Sequence, residues 1–426
     1  MTSITIESTI AEIRQRQPQK SYLDPGMIFP DYQGFSIVNL PASLCSWLGV
    51  EAESMAPGIQ HQADFGDRYD HIVLVIVDGL GSHQLSCIRN RLAGNPFLQR
   101  LQSDALESAL TSIAPSSTAS ALTSLWTGVP AGTHGLIGYE TWMRSLGMVV
   151  NFLIYSPVAI PMTQGLISSA GIPPTSILPV STLGELIAEQ NGQVRSHMPI
   201  FLANSNLTNA QMVSASVIPY RRFGDLWENV VETFQESASP SLDVIYWNDM
   251  DTYGHLKGIW DERIFSDLGS FFDGLEKALQ RMKKPGKGRT LVLLTADHGH
   301  IENTPDPRRD LKLHPEVMSR LTILPTGENR LTYFYPKDGQ SKGLSDYIKA
   351  TWPGEFFLVK GAELIADGLF GPAPHHSEID SRVGELIAIA RSKSYFWWPN
   401  RPDRLHSRHG GLSEEEMIVP LIGLTL

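Results

Sequence analysis

The run His71-Ile-Val-Leu-Val-Ile-Val-Asp78 constrains the fold of this chain more than any other feature. It is apolar without alternation and rich in β-branched residues, which suits a strand covered on both faces, as in a parallel sheet flanked by helices. Gly79 and Gly81 follow it. Two further runs share the design: Leu242–Trp247 leads into Asn248-Asp249-Met250-Asp251, and Thr290–Ala296 leads into Asp297-His298-Gly299. A fourth, Met417–Leu424, follows His409. Three strands thus deliver acidic residues at their carboxyl ends, where open α/β sheets build their sites. Helix candidates lie between them, at Asn95–Ser108, Thr118–Trp126, Ser181–Glu189, Phe223–Gln235 and Ile264–Met282. The alternation predicts an α/β fold, a three-layer α/β/α sandwich around a mostly parallel central sheet. Residues 1–70, with a short helix candidate at Ile6–Arg16, are expected to form an N-terminal extension packing on a core of residues 71–426. The stretches 140–180 and 300–400 break the alternation and are expected to hold cap insertions.

Composition narrows the functional classes. Of 426 residues, 42% are hydrophobic and 19% charged, enough apolar material for a sizeable core. A net charge of −11 argues against a nucleic-acid polymer as partner, since such binding needs a basic face. It leaves room for a small anionic substrate, because bound cations set the charge of a local site. There are two cysteines, Cys45 and Cys87, and the N-terminus lacks the apolar run of a signal peptide. No apolar run approaches the ~20 residues of a membrane span. The expectation is a soluble, cytoplasmic protein; oligomeric state is not legible.

The residues that carry chemistry form a four-part constellation. Asp78 ends the first strand. Pro115-Ser116-Ser117-Thr118-Ala119-Ser120 precedes Thr127-Gly128 and His134-Gly135. Asp251-Thr-Tyr-Gly254-His255 places a carboxylate and an imidazole at i, i+4. Asp297-His298-Gly299 pairs with the distant His409-Gly410-Gly411. Each part has an ordinary reading: Asp78 starts a turn, Thr118 caps a helix, Asp251 and His255 form a solvated pair, and His409 sits in a glycine turn. Their coincidence in order is what carries the functional reading. Asp249 competes with Asp251 as a ligand, and the Gly254-His255 spacing favours Asp251. His134 is read as bracing a turn, His300 as a surface or substrate-touching residue, His375-His376 as solvent-exposed, and Phe396-Trp397-Trp398-Pro399 as local core of an insertion.

In order and spacing these motifs resemble the alkaline phosphatase superfamily, and within it the type I phosphodiesterase/nucleotide pyrophosphatase branch. Asn95-Pro-Phe-Leu-Gln-Arg-Leu is similar to the helix after the first metal aspartate of that branch. The resemblance implies an alkaline phosphatase-like fold and metal-dependent hydrolysis of phosphodiester or pyrophosphate bonds through a phosphothreonine on Thr118. It implies two Zn2+ ions, with Mn2+ also acceptable to the ligands. Asp78, Asp297 and His298, completed by Thr118, would hold one, and Asp251, His255 and His409 the other. Three protein ligands with an open position suit catalytic zinc. A metal lowers the pKa of an otherwise poor threonine nucleophile and stabilises the leaving oxygen. The helix opening at Thr118 offers N–H groups to a phosphate.

Two positions depart from the branch. Tyr139 stands where an Asn commonly donates to the phosphoryl oxygen; its hydroxyl donates instead, as a substrate-binding group, or the ring faces the core. Ala119 replaces the aromatic that helps seat a base. The expected partner is therefore a small phosphate ester, with nucleotides one candidate. The alternatives are a phosphomonoesterase or phosphonate hydrolase of the same superfamily, and, behind these, a phosphomutase or a non-catalytic metal-binding protein.

Overall fold

A computed structural model describes residues 4–160, 163–238, 240–283 and 288–426. Residues 1–3 of the expected N-terminal extension and 161–162 of the first expected cap segment lie outside the described residues. The central sheet has seven strands: β1 His71–Val77, β2 Leu106–Thr111, β3 Gln193–Pro199, β4 Ser216–Tyr220, β5 Ser241–Trp247, β6 Thr290–Thr295 and β7 Ile418–Thr425. Their spatial order is β2-β7-β6-β1-β5-β3-β4. β1 pairs in parallel with β5 and β6, and β3 in parallel with β5 and β4. Only β7 runs against its neighbours, β2 and β6. Every residue of β1, β5 and β6 is buried, as the apolar runs predict.

Helices layer on this sheet. Pro96–Asp104, Phe223–Glu236 and Glu262–Met282 pack together, and Phe271 of the last stacks on Trp247 of β5 with ring centroids 4.7 Å apart. Leu40–Leu48, Leu183–Glu189 and Asn206–Gln211 pack around the helix Thr118–Thr127. The fold is thus α/β with a mostly parallel central sheet, in agreement with the sequence.

Two differences from the sequence reading have physical causes. The helix expected at Asn95–Ser108 ends at Asp104, and Leu106–Thr111 is instead β2, recruited by pairing with β7. β3 was hidden because it is not an apolar run. Its Arg195 and His197 are buried, with charge and hydrogen bonds met by Asp243 on β5, at 2.7 Å from Arg195 Nε and 3.1 Å from His197 Nε2.

A second, antiparallel seven-stranded sheet joins distant segments. Its strands, in spatial order, are Phe356–Lys360, Leu386–Ala390, Leu331–Phe334, Thr326–Glu328, Glu140–Met143, Met148–Asn151 and Ser156–Pro157. Gly327 facing Glu140 couples the two segments. Phe396 and Trp398 are buried in the apolar cluster of this region, and Phe396 stacks on Phe356 at 3.9 Å. His375 and His376 are half-buried rather than solvent-exposed: His375 Nε2 meets the Gly371 carbonyl and His376 Nδ1 accepts from the Glu378 N–H. The N-terminal helix Ile6–Gln15 lies against β2 and β7, and Arg14 Nε reaches Glu414 Oε2 at 2.9 Å.

Candidate active site

The topology gathers the chemistry at one edge of the sheet. Asp78 follows β1, Thr118 follows β2, Asp251 follows β5, and Asp297 and His298 follow β6. Because β7 runs antiparallel, its beginning lies at this same edge, which brings His409 there through the short helix Glu414–Met417. Asp251 and His255 lie one turn apart in the helix Asp249–Lys257 and so share a face. Gly79 makes the turn after Asp78 possible: its φ is +77°, and a Cβ there would lie 2.6 Å from the His300 ring.

Three groups of three potential ligand atoms form among the described residues, each within 4.8 Å of one another: Asp78, Asp297 and His298; Asp251, His255 and His409; and Asp251, His298 and His300. His298 Nε2 lies 3.5 Å from Asp78 Oδ1, 3.4 Å from Asp297 Oδ2 and 3.0 Å from Thr118 Oγ1. His255 Nε2 and His409 Nε2 lie 3.3 and 3.6 Å from Asp251 Oδ1. Thr118 is the first residue of its helix, and the Ser117 hydroxyl donates to Glu328 instead of capping the first turn. The N–H groups of that turn therefore have no intrahelical or capping partner.

The imidazole tautomers follow from the hydrogen bonds. His298, His255 and His409 direct Nδ1 at the carbonyls of Gly299, Ser407 and Ser116, at 3.1, 2.9 and 3.0 Å. A carbonyl only accepts, so each Nδ1 carries the proton and each Nε2 presents a lone pair. His255 and His409 present theirs to each other at 3.1 Å. Two buried carboxylate oxygens, Asp78 Oδ1 and Asp297 Oδ2, have no hydrogen-bond partner. Lone pairs and orphaned carboxylates converging in a buried site are the donor set of a divalent cation. The residues present fit the metal groups that the sequence implies.

Electrostatics agree. Burial, then repulsion from Asp297 and Asp251, pushes the Asp78 carboxyl well above its ordinary value. Burial also raises Asp297, against the pull of His298. Burial would raise Asp251 as well, but His255 and His300 outweigh it and hold it well below the usual range. Burial and the neighbouring His298 and His255 drive His409 well down.

The remaining residues sort clearly. Asp249 turns away and accepts from the Trp247 indole N–H at 3.1 Å. His134 is buried, accepts the Leu136 N–H at 3.1 Å and meets Ser124 Oγ at 3.1 Å, bracing the turn. Tyr139 reaches the site through its backbone, its N–H donating to Glu328 Oε1 at 3.0 Å, while its ring packs on the apolar cluster that includes Ala119. Two residues were undervalued by sequence reasoning. His300 is buried, not a surface residue. Its Nε2 lies 2.8 Å from Asp251 Oδ1 and its Nδ1 3.0 Å from Ser407 Oγ, so it donates to Asp251 and orients that carboxylate. Its position directly after Asp297-His298-Gly299 was the available signal. Glu328 comes from the antiparallel sheet, and burial raises its carboxyl to about 8. No local pattern marks it.

Comparison with known proteins agrees with this geometry. The family model of type I phosphodiesterase / nucleotide pyrophosphatase matches residues 72–412. No curated protein sequence matches the chain significantly. Among solved structures, murine ectonucleotide pyrophosphatase / phosphodiesterase 5 is similar over 82% of this chain and 87% of its own, at TM-score 0.60 and 18% identity. An inactive form of that murine protein, solved in complex with AMP, superposes at TM-score 0.59 and 17% identity, with the same coverage. Phosphonoacetate hydrolase from Sinorhizobium meliloti 1021, in complex with phosphonoformate, covers 82% of this chain and 89% of its own, at TM-score 0.61 and 14% identity. At such identities these structures speak for the fold, whereas the family match spans most of the sequence. The chain belongs to the type I phosphodiesterase/nucleotide pyrophosphatase family and is an enzyme of the alkaline phosphatase superfamily.

Proposed function

We propose that the protein cleaves a phosphodiester or pyrophosphate bond of a small phosphate ester, with Thr118 as the nucleophile. The observation that carries this reading is the position of Thr118, first in its helix and with its hydroxyl 3.0 Å from His298 Nε2, beside the group of Asp78, Asp297 and His298. Asp78, Asp297 and His298, with Thr118 Oγ1, would hold one zinc or manganese ion, and Asp251, His255 and His409 a second. When bound, such ions lower the pKa of a hydroxyl and offset charge on the phosphoryl and leaving oxygens. The Thr118 oxygen gives up its proton and forms a bond to phosphorus as the bond to the leaving oxygen breaks, and the leaving group departs to take up a proton. Water then breaks the Thr118–phosphorus link, releasing the product and restoring the hydroxyl. The uncapped first turn supplies N–H groups to the phosphoryl oxygens.

A diester is favoured over a monoester because, among the described residues, no Lys or Arg lines the cavity against Thr118. The buried arginines Arg330 and Arg408 are already paired with Glu416 and Asp403. The AMP complex of the murine relative makes nucleotides one class to test. Tyr139, read from the sequence as substrate-binding, packs its ring on the apolar cluster with Ala119, so Tyr139→Phe is expected to leave kcat/KM nearly unchanged; a several-fold loss would return its hydroxyl to the substrate. A reducing, cytoplasmic setting is supported by Cys45 and Cys87, both unpaired. No helix among the described residues is long and apolar enough to cross a membrane.

The test is kcat/KM of the zinc-loaded protein for bis(p-nitrophenyl) phosphate against p-nitrophenyl phosphate. A diester preference of about ten-fold or more, about 1.4 kcal/mol of transition-state binding, is expected. A monoester preference of that size contradicts the reading.

A further inference from the structure

The cavity that Thr118 lines has a chemistry of its own. Its volume is about 190 Å³. Leu122 and Trp126, one and two turns beyond Thr118 on the same helix face, form one wall. Met198 of β3 and Leu207 and Met212 close it, and Leu153 stands at its edge, 47% exposed. Polar groups in the lining are turned to the protein. The Tyr246 hydroxyl donates to Asp78, Gln211 Nε2 to Thr123 Oγ1 at 2.8 Å, and Thr208 Oγ1 to the Leu202 carbonyl at 2.8 Å. Among the described residues of the lining, the Ser196 hydroxyl is fully buried without a partner, and the Trp126 indole N–H is a second polar group in the wall. No charged side chain takes part.

On the hydrolase reading above, we propose that this cavity seats a compact apolar substituent of the phosphoryl group under attack, an aryl or short branched alkyl group, rather than a nucleoside. Size sets the class. An apolar cavity of roughly 150 Å³ stays dry and takes up benzene, so this one holds a single ring with a small addition. Chemistry sets it too. The several hydroxyls of a ribose and the edges of a base would be buried against a lining that is mostly carbon, and unpartnered polar groups are penalised on burial. Thr118 and Tyr246 join the cavity to the ligand cluster, so whatever fills it is bonded close to the phosphorus that Thr118 reaches.

The experiment holds the leaving group constant. On the zinc-loaded protein, kcat/KM is measured for p-nitrophenyl methyl phosphate, p-nitrophenyl phenyl phosphate and the p-nitrophenyl ester of thymidine 5′-phosphate. The phenyl ester is expected to exceed both others by about ten-fold or more. Leu153→Asp, at an already exposed position, is expected to bring the phenyl-to-methyl ratio down toward one. As a readout without turnover, phenylphosphonate is expected to raise the melting temperature of the zinc-loaded Thr118→Ala protein more than methylphosphonate does. Turnover with the methyl or thymidine ester equal to or faster than the phenyl ester overturns the assignment of the cavity and leaves the hydrolase reading intact. Absence of turnover with all three overturns the hydrolase reading itself.

Discussion

Asp251 shows how much of the site rests on single atoms. Its Oδ1 faces His255, His300 and His409 at 3.3, 2.8 and 3.6 Å. Of the three, His300 lies nearest and donates its proton to Asp251. His300→Ala is therefore expected to weaken metal retention and turnover by roughly 10–100-fold, the scale of losing an orienting hydrogen bond to a ligand. Metal content after dialysis against a weak chelator checks it, and wild-type retention would show that Asp251 is held by its own helix. Gly79 is the other sensitive residue. An alanine there meets both a left-handed φ of +77° and the His300 ring at 2.6 Å. Gly79→Ala is expected to cost about 1–3 kcal/mol, read from the urea midpoint. At this scale the sequence was legible for Asp78, Asp251, His255, Asp297, His298 and His409, because each sits at a strand end or in a short spaced motif. Glu328 was not, because contacts between distant segments bring it to Ser117.

Between elements, buried ion pairs fasten the antiparallel sheet to the core. Arg330, beside the strand Leu331–Phe334, bonds Glu416 before β7 at 2.7 and 2.8 Å, and both are wholly buried. Burial would raise the Glu416 carboxyl, but Arg330, Ser413 and the Gly411 N–H hold it below its ordinary 4.5. A depressed folded-state pKa means that the unfolded chain binds this proton more readily. The stability it contributes is present above about pH 4.5 and is lost as pH falls through the folded value. Arg330→Met leaves a buried carboxylate unpaired and is expected to cost about 3–5 kcal/mol near neutral pH. Adding Glu416→Leu is expected to recover most of that loss, and urea titrations of the three proteins at neutral and acid pH test both statements. The same physics limited the sequence reading of elements. Strands that bury only carbon announce themselves. β3 carries Arg195 and His197 into the interior against Asp243, and its pattern therefore did not read as a strand.

For the whole molecule, one sheet edge collects ligands from four strand ends and from the start of an antiparallel strand. A site so assembled exists only in the folded chain, so a metal held there would stabilise the fold by mass action. Zinc at roughly 100 times its dissociation constant is expected to add about 2.7 kcal/mol, and a strong chelator to remove it, seen as opposite shifts of the melting temperature. Equal melting temperatures with and without metal would detach the cluster from stability. The parallel sheet was legible from three apolar runs. The antiparallel sheet was not, because it pairs residues 140–157 with residues 326–390, and no local pattern encodes such a partner.

On the proposed function, Thr118 Oγ1 is the atom that meets phosphorus. The most direct measurement is rapid acid quench of the zinc-loaded protein during turnover of bis(p-nitrophenyl) phosphate, followed by peptide mass analysis. A p-nitrophenyl phosphoryl group is expected on Thr118, absent from Thr118→Ala, whose turnover falls by about a thousand-fold or more. Turnover that survives in Thr118→Ala, or an adduct on another residue, would contradict it.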